Sequence, residues 1–315
     1  MFTIDARIST GYSPKSAFSL RQHQFSLGFE ETGTVQSRRM AKAGAAFLRM
    51  LPRWTVAGGL MMCLSACSRT GRGANAPDAE RQSDAEYDVA RDLFLSRHDP
   101  RGALGHAQKA VELNDQNAEA FHFVAIIYLY FCSSSPLDCR LPDAERAAKK
   151  AVQIKADFRE AKNTLGVVLI QEKKYDEAIA TLEPLANDIL YQAPWDAWGN
   201  LGLAYLEKGK PDDAIVALRR SIAAEPRFCV GNYRLGLAFE KKGDLLAARE
   251  ALSRAVETNS PDCQRLQDAF EARARVYSKA KNCDLAKGDL EKCKEISVES
   301  PAGQRCAASL KSSPC

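Results

Sequence analysis

A pattern of small and large residues recurs along this chain at a spacing of about 34 residues, and a period in the thirties restricts a sequence to stacked helical units. The clearest copy reads Trp198-x-x-Leu201-Gly202-x-x-Tyr205, then Ala214, Leu218 and Ser221, and closes with Pro226. Gly202 and Ala214 let two helices approach closely, Trp198, Leu201, Tyr205 and Leu218 fill the seam between them, and Pro226 follows a helix that it could not continue. The run Gly209-Lys210-Pro211-Asp212-Asp213 supplies the turn within this hairpin. The next copy has Leu235-Gly236, Phe239, Ala248, Leu252 and Ala255, with Lys242-Gly243-Asp244 as its turn. The preceding one has Leu165-Gly166, Leu169, Ala178 and Leu182. A fourth has Phe121, Val124-Ala125, Tyr128, Ala144, Ala148 and Ala151, with about seven extra residues in its turn. Weaker copies flank these, with Tyr87, Phe94, Ala103 and Ala110 on one side and Phe270, Ala274, Tyr277, Ala286 and Leu290 on the other.

These motifs resemble the tetratricopeptide repeat (TPR). The resemblance implies an all-α, right-handed superhelical solenoid of about six helical hairpins over residues 80–315, with Pro301 to Leu310 as a solvating final helix. Terminal copies depart most from the pattern, as capping units do. The formal charge of +4 is unevenly spread. Of 44 Lys and Arg and 40 Asp and Glu, residues 1–66 hold 8 and 3, which leaves a body of 36 against 37. A near-neutral body lacks the basic stripe that phosphate neutralisation demands, so the reading excludes nucleic acid as a partner.

The N-terminal region reads in three parts. Residues 1–39 are a leader that fits no export signal, which points to Met40 or Met50 as the true start. Residues 40–66 read as a lipoprotein signal peptide: Lys42, Arg49 and Arg53 precede an uncharged apolar stretch from Trp54 to Leu64, too short to span a bilayer. Leu64-Ser65-Ala66-Cys67 resembles the bacterial lipobox, which implies a diacylglycerol on Cys67 and cleavage before it. Ser68, where a retention signal would place Asp, implies sorting to the outer membrane, lipid-anchored and facing the periplasm. Residues 67–79 are small and polar and are expected to be a flexible tether.

Apart from Cys63 and Cys67, eight cysteines remain, and an even number in an exported chain argues for disulfides. If helices at about 284–297 and 303–313 form an antiparallel hairpin, facing residues have a nearly constant index sum. Cys293 with Cys306 and Cys283 with Cys315 satisfy that condition and would staple the C-terminal cap. Cys132 and Cys139 bracket the long turn, and Cys229 and Cys263 open successive first helices, which makes them the remaining candidate pairs. A zinc site is the competing reading; no Cys-x-x-Cys spacing occurs and no His lies near the C-terminal cluster. No phosphate loop, dinucleotide fingerprint, metalloprotease helix or nucleophile elbow is present. His98 and His106 have no acidic partner at ligand spacing, and the runs Glu172-Lys173-Lys174 and Glu240-Lys241-Lys242 read as solvated helix ends. The expectation is a chain without catalysis, metal, cofactor or small-molecule substrate.

In a TPR solenoid the first helix of each hairpin lines the concave face. The repeat pattern places Ile126, Leu129, Asn163, Val167, Ile170, Leu203, Leu206, Tyr233 and Leu237 there, with ordinary packing between neighbouring helices as the competing reading. An apolar strip of this kind suits an amphipathic helix or a hydrophobic strand laid along the groove. Lipobox, short tether, TPRs and cysteines together resemble the type IV pilus secretin pilotins, the family of PilF and PilW, and within it the myxobacterial Tgl branch. That resemblance implies an outer-membrane lipoprotein that helps secretin subunits assemble into the pilus pore, in support of twitching or social motility. The alternative is a general periplasmic adaptor that recruits envelope-assembly or peptidoglycan enzymes.

Overall fold

The computed structural model describes residues 76–134 and 137–312, so the leader, the signal segment, Cys67 and Cys315 lie outside the described residues. Six hairpins follow one another: α1 (Ala76–Leu95) with α2 (Pro100–Leu113), α3 (Ala118–Ser134) with α4 (Leu141–Ile154), and α5 (Arg159–Gln171) with α6 (Tyr175–Ala186). Then come α7 (Pro194–Glu207) with α8 (Pro211–Ala224), α9 (Cys229–Lys242) with α10 (Leu245–Glu257), and α12 (Gln267–Lys279) with α13 (Cys283–Ile296). A single turn, α11 (Pro261–Gln264), precedes the last hairpin, and α14 (Pro301–Lys311) closes the stack. The first helix begins at Ala76, inside the expected tether. Asp78 in its first turn complements the positive end of the helix dipole, which favours helix over coil there.

The hairpin seam follows from glycine. A Cβ on Gly166, Gly202 or Gly236 would stand 2.4–2.5 Å from the nearest side-chain carbon of Leu182, Leu218 or Leu252 respectively. Each leucine is completely or almost completely buried against the glycine of its own hairpin. In the second repeat the same register holds Ala125 and Ala148, both fully buried, so a Gly–Leu pair is exchanged for an Ala–Ala pair with the seam still filled. In the sixth, Ala274 stands at the glycine position and Leu290 at the leucine position.

Turns are equally systematic. Gly209 and Gly243 follow first helices with φ of 84° and 83°, a left-handed backbone in which glycine carries no steric penalty. Lys173 and Lys281 occupy the same conformation at φ of 63° and 61°. Second helices start on Pro100, Pro142 and Pro211 in their first turns, where the missing N–H costs no helical bond. Asp99 and Asp244 cap two of them by accepting the N–H of Gly102 and Ala247.

Between repeats, cations at the end of a first helix or in the turn after it reach acids on the previous second helix: Lys174 to Glu145 at 2.9 Å, Lys208 to Asp176, and Lys242 to Asp212 at 2.5 Å. Within repeats, the Lys150 ammonium stands over the Phe121 ring and the Arg220 guanidinium over the Trp198 ring, at 6.0 and 4.7 Å from the centroids.

Disulfides join Cys132 to Cys139, Cys229 to Cys263 and Cys293 to Cys306. Cys283 is also disulfide-bonded. Cys263 does not open a first helix as expected from the repeat pattern. It sits in the isolated turn α11, with α12 beginning only at Gln267. The cause is spacing: Gly236 and Ala274 are 38 residues apart where Gly202 and Gly236 are 34, so α12 starts in the usual register, seven residues before Ala274, and the added residues form α11, with Leu266 packed beside Cys229, Cys263 and Phe270. At the C-terminal end, the Gln267 amide donates to the carbonyls of Cys293 and Ser297 at 2.6 and 2.8 Å, and Ser300 Oγ donates back to Gln267 Oε1.

Gly202→Ala should destabilise the fold even though alanine gains up to about 1 kcal/mol of helix propensity, because its methyl meets Leu218. The double variant with Leu218→Ala should lose less than the two single losses combined. Lys281→Gly should stabilise by about 0.5–1 kcal/mol through relief of the left-handed backbone. Urea unfolding followed by circular dichroism measures all three.

Candidate protein-binding groove

The first helices of the hairpins, α1, α3, α5, α7, α9 and α12, line one face, and the nine residues expected to form a continuous apolar strip divide into two groups. Ile126, Leu129, Val167, Tyr233 and Leu237 are half-buried and present surface. Asn163, Ile170, Leu203 and Leu206 are buried, with exposures of 3–6%. The expected strip is therefore corrected at its centre. Leu203 belongs to the large N-terminal core cluster and Leu206 packs in the cluster of Leu235 and Ala238, so successive first helices close over these positions.

A polar chain runs beneath the centre. Asn163 Nδ2 donates to Asp196 Oδ2 at 2.7 Å, Asn200 Nδ2 donates to Asn163 Oδ1 at 3.1 Å, and Arg234 Nη1 donates to Asn200 Oδ1 at 3.0 Å. Four residues from three successive repeats are thereby tied together. Burial pushes the Asp196 carboxyl up, against the Arg234 charge and the Asn163 bond, and burial lowers Arg234. Gly199 makes room for the arrangement, since a Cβ there would lie 2.9 Å from Phe228 Cε1 and 3.5 Å from Arg234 Nη1. Sequence reading placed Asn163 in the groove but missed the chain, because Asn163, Asp196 and the equivalent pair Asn200 and Arg234 stand at three different positions of their repeats and only the stacking brings them together.

At the N-terminal side the floor is apolar. His122 Nε2 lies 2.8 Å from Thr164 Oγ1, and the imidazole meets the Phe158 ring edge-to-face at 4.9 Å. Burial pushes His122 down to about 4, with the Glu119 charge opposing the shift. At the C-terminal side the floor is charged. Burial acts to raise the Glu240 carboxyl, but bonds from Arg275 at 2.7 and 2.8 Å and from Lys279 at 2.7 Å outweigh it and hold the group below the usual range. Glu240 is therefore a bridge between repeats rather than part of a solvated helix end. Glu172, in the other run, is likewise drawn into contact with Lys174. Among the described residues, no group of three or more His, Cys, Asp or Glu is placed to hold a metal ion. His106 pairs with Glu86 at 2.5 Å, while His98 serves as a left-handed turn residue.

A tetratricopeptide-repeat family model matches residues 185–227 and 200–263. The type IV pilus assembly protein PilF of Pseudomonas aeruginosa is 28% identical over 171 residues, covering 51% of this chain and 64% of that protein. The chloroplastic tetratricopeptide repeat protein PYG7 of Arabidopsis thaliana is 27% identical over 125 residues, 36% of this chain and 39% of that protein. The chain thus spans less than two thirds of the length of these curated relatives. Among solved structures, PilW, described as a widely conserved type IV pilus biogenesis factor, superimposes with a TM-score of 0.59 at 21% identity, covering 71% of this chain and 98% of its own. PilF of Pseudomonas aeruginosa gives 0.55 at 19%, covering 75% and 99%. The two structures share the solenoid fold, and this chain is similar to PilF, with tetratricopeptide repeats matched over residues 185–263.

His122 provides a pH test of the apolar end of the groove. Its folded pKa of about 4 lies below the ordinary 6.5, so the unfolded chain binds the proton first. The stability that neutral His122 contributes is complete above pH 6.5 and is lost as pH falls toward 4. His122→Gln should flatten that segment of the stability-against-pH curve relative to wild type, measured by urea midpoints at half-unit steps; an unchanged slope overturns the assignment.

Proposed function

We propose that the chain is an outer-membrane lipoprotein scaffold, a pilotin, that holds a secretin subunit of the type IV pilus while the multimeric pore assembles. The observation that carries this reading is the apolar end of the groove, Ile126, Leu129 and Val167, half-buried on the concave side of a solenoid whose relative PilF bears a pilus-assembly name. An apolar floor without paired catalytic groups suits a hydrophobic or amphipathic segment of another protein, held until that segment is buried in its own assembly. Acyl chains on Cys67 contribute about 0.8 kcal/mol per buried CH₂, and several on one cysteine keep the held subunit at the membrane where the pore forms. The periplasm-facing position accords with the paired cysteines, which persist in an oxidising compartment.

In a deletion strain, immunoblots of unheated membranes should lose the heat-resistant secretin multimer, and the wild-type gene should restore it. Cys67→Ala should fail to place the multimer in the outer membrane. Val167→Glu with Leu237→Glu should fail to form it while retaining the helical circular dichroism of wild type. Leu203 is unsuitable for this test because it is buried in the core. Multimers that survive the deletion would discard the pilus reading and leave the general periplasmic adaptor.

A further inference from the structure

The linker between α6 and α7 is longer than its successor: Gly166 and Gly202 are 36 residues apart, Gly202 and Gly236 only 34. The extra length forms a pinned turn. Asp188 Oδ1 accepts the Leu190 N–H at 2.8 Å, Asp188 Oδ2 accepts Arg159 Nε at 2.7 Å, and the Asp188 carbonyl accepts the Tyr191 N–H at 3.1 Å. Tyr191 and Ala193 then plug into the core at 6% and 7% exposure. Between these anchors stand Ile189 and Leu190, 95% and 62% exposed. The turn is held by Asp188, by the Asn187 and Gln192 amides, which donate to the carbonyls of Glu183 and Leu190, and by the burial of Tyr191 and Ala193, while the Ile189 and Leu190 side chains stand outward.

The linker lies at the edge of the solenoid where first helices begin. Helix α1 projects from the same edge, because Ala76 precedes Ser83, the residue in register with the start of the other first helices, by seven positions, or about 10 Å of helix. Only eight residues separate Cys67 from Ala76, a reach of about 30 Å when extended. On the reading that Cys67 is acylated, the bilayer faces this edge at a distance of at most about 40 Å. The Arg159–Asp188 pair leaves the turn without net charge, so its approach to lipid dehydrates no lone ion.

We propose that Ile189 and Leu190 enter the membrane interface as a second, non-covalent contact that sets the solenoid edge-on to the bilayer. Two apolar side chains alone bind weakly; acylation supplies the local concentration that makes the contact persist. Leu137, 97% exposed in the turn joining α3 to α4, lies at the opposite edge and is an internal control.

The test uses the acylated full chain in phosphatidylethanolamine–phosphatidylglycerol vesicles carrying nitroxide-labelled acyl chains, with acylation of Cys67 first checked by mass. The Leu190→Trp variant should show a blue shift and a loss of emission beyond that of the native tryptophans, and Leu137→Trp should show neither. Equal quenching of the two variants, with acylation present, overturns the membrane contact alone. Protection of position 190 only when a partner protein is added does the same. Absence of acyl chains removes the anchor and this contact together. Quenching at position 190 in a chain that secretin multimers do not need would uphold the contact and discard the pilus reading.

Discussion

The structure depends on one steric pairing: a glycine in the first helix of a hairpin against a leucine in the second. Gly166 with Leu182, Gly202 with Leu218 and Gly236 with Leu252 bring the helices so close that no Cβ fits between them. Each hairpin is thereby fixed as a thin, rigid unit with apolar residues left over on both flanks. Those flanks can be buried only against another hairpin, so close approach within a repeat obliges stacking between repeats. The core clusters follow this logic, overlapping at residues such as Tyr205, Leu237 and Phe239 from one hairpin to the next. In the second repeat Ala125 takes the glycine position and the facing position shrinks to Ala148, whereas the sixth keeps Leu290 opposite Ala274.

Stacking also decides what the concave face can offer. At its middle, first helices pack tightly enough to bury Leu203 and Leu206, and the polar chain from Asp196 through Asn163 and Asn200 to Arg234 pairs most of the groups that lose their water there, with Arg234 Nε left without a hydrogen-bond partner. The open surface is thus displaced to the two ends, apolar around Ile126 and Val167 and charged around Glu240 and Arg275.

A solenoid is weakest at its ends, where a repeat has one neighbour, and the C-terminal end here is secured by covalent and polar means together. The Cys293–Cys306 bond ties α13 to α14, and Gln267 satisfies the carbonyls at the end of α13 while itself accepting from Ser300. A short closed loop of this kind stabilises by about 3 kcal/mol, comparable with the burial of a large apolar side chain. The Cys229–Cys263 bond fastens the fifth hairpin to the turn before the sixth, so the last three units resist fraying as a block.

The sequence alone determined the hairpins, their number, their turns and the seam residues, because each depends on contacts within one repeat and recurs at a fixed spacing that any copy reveals. Gly209 and Gly243 mark turns for the same local reason. What lies between repeats was decided only by the tertiary structure. The burial of Leu203 and the bridging role of Glu240 depend on how far one hairpin is rotated against the next, and no periodicity encodes that rotation. The polar chain beneath the groove arises in the same way. Position within a repeat says which side of a helix a residue occupies, whereas its exposure depends on the neighbour that comes to lie over it.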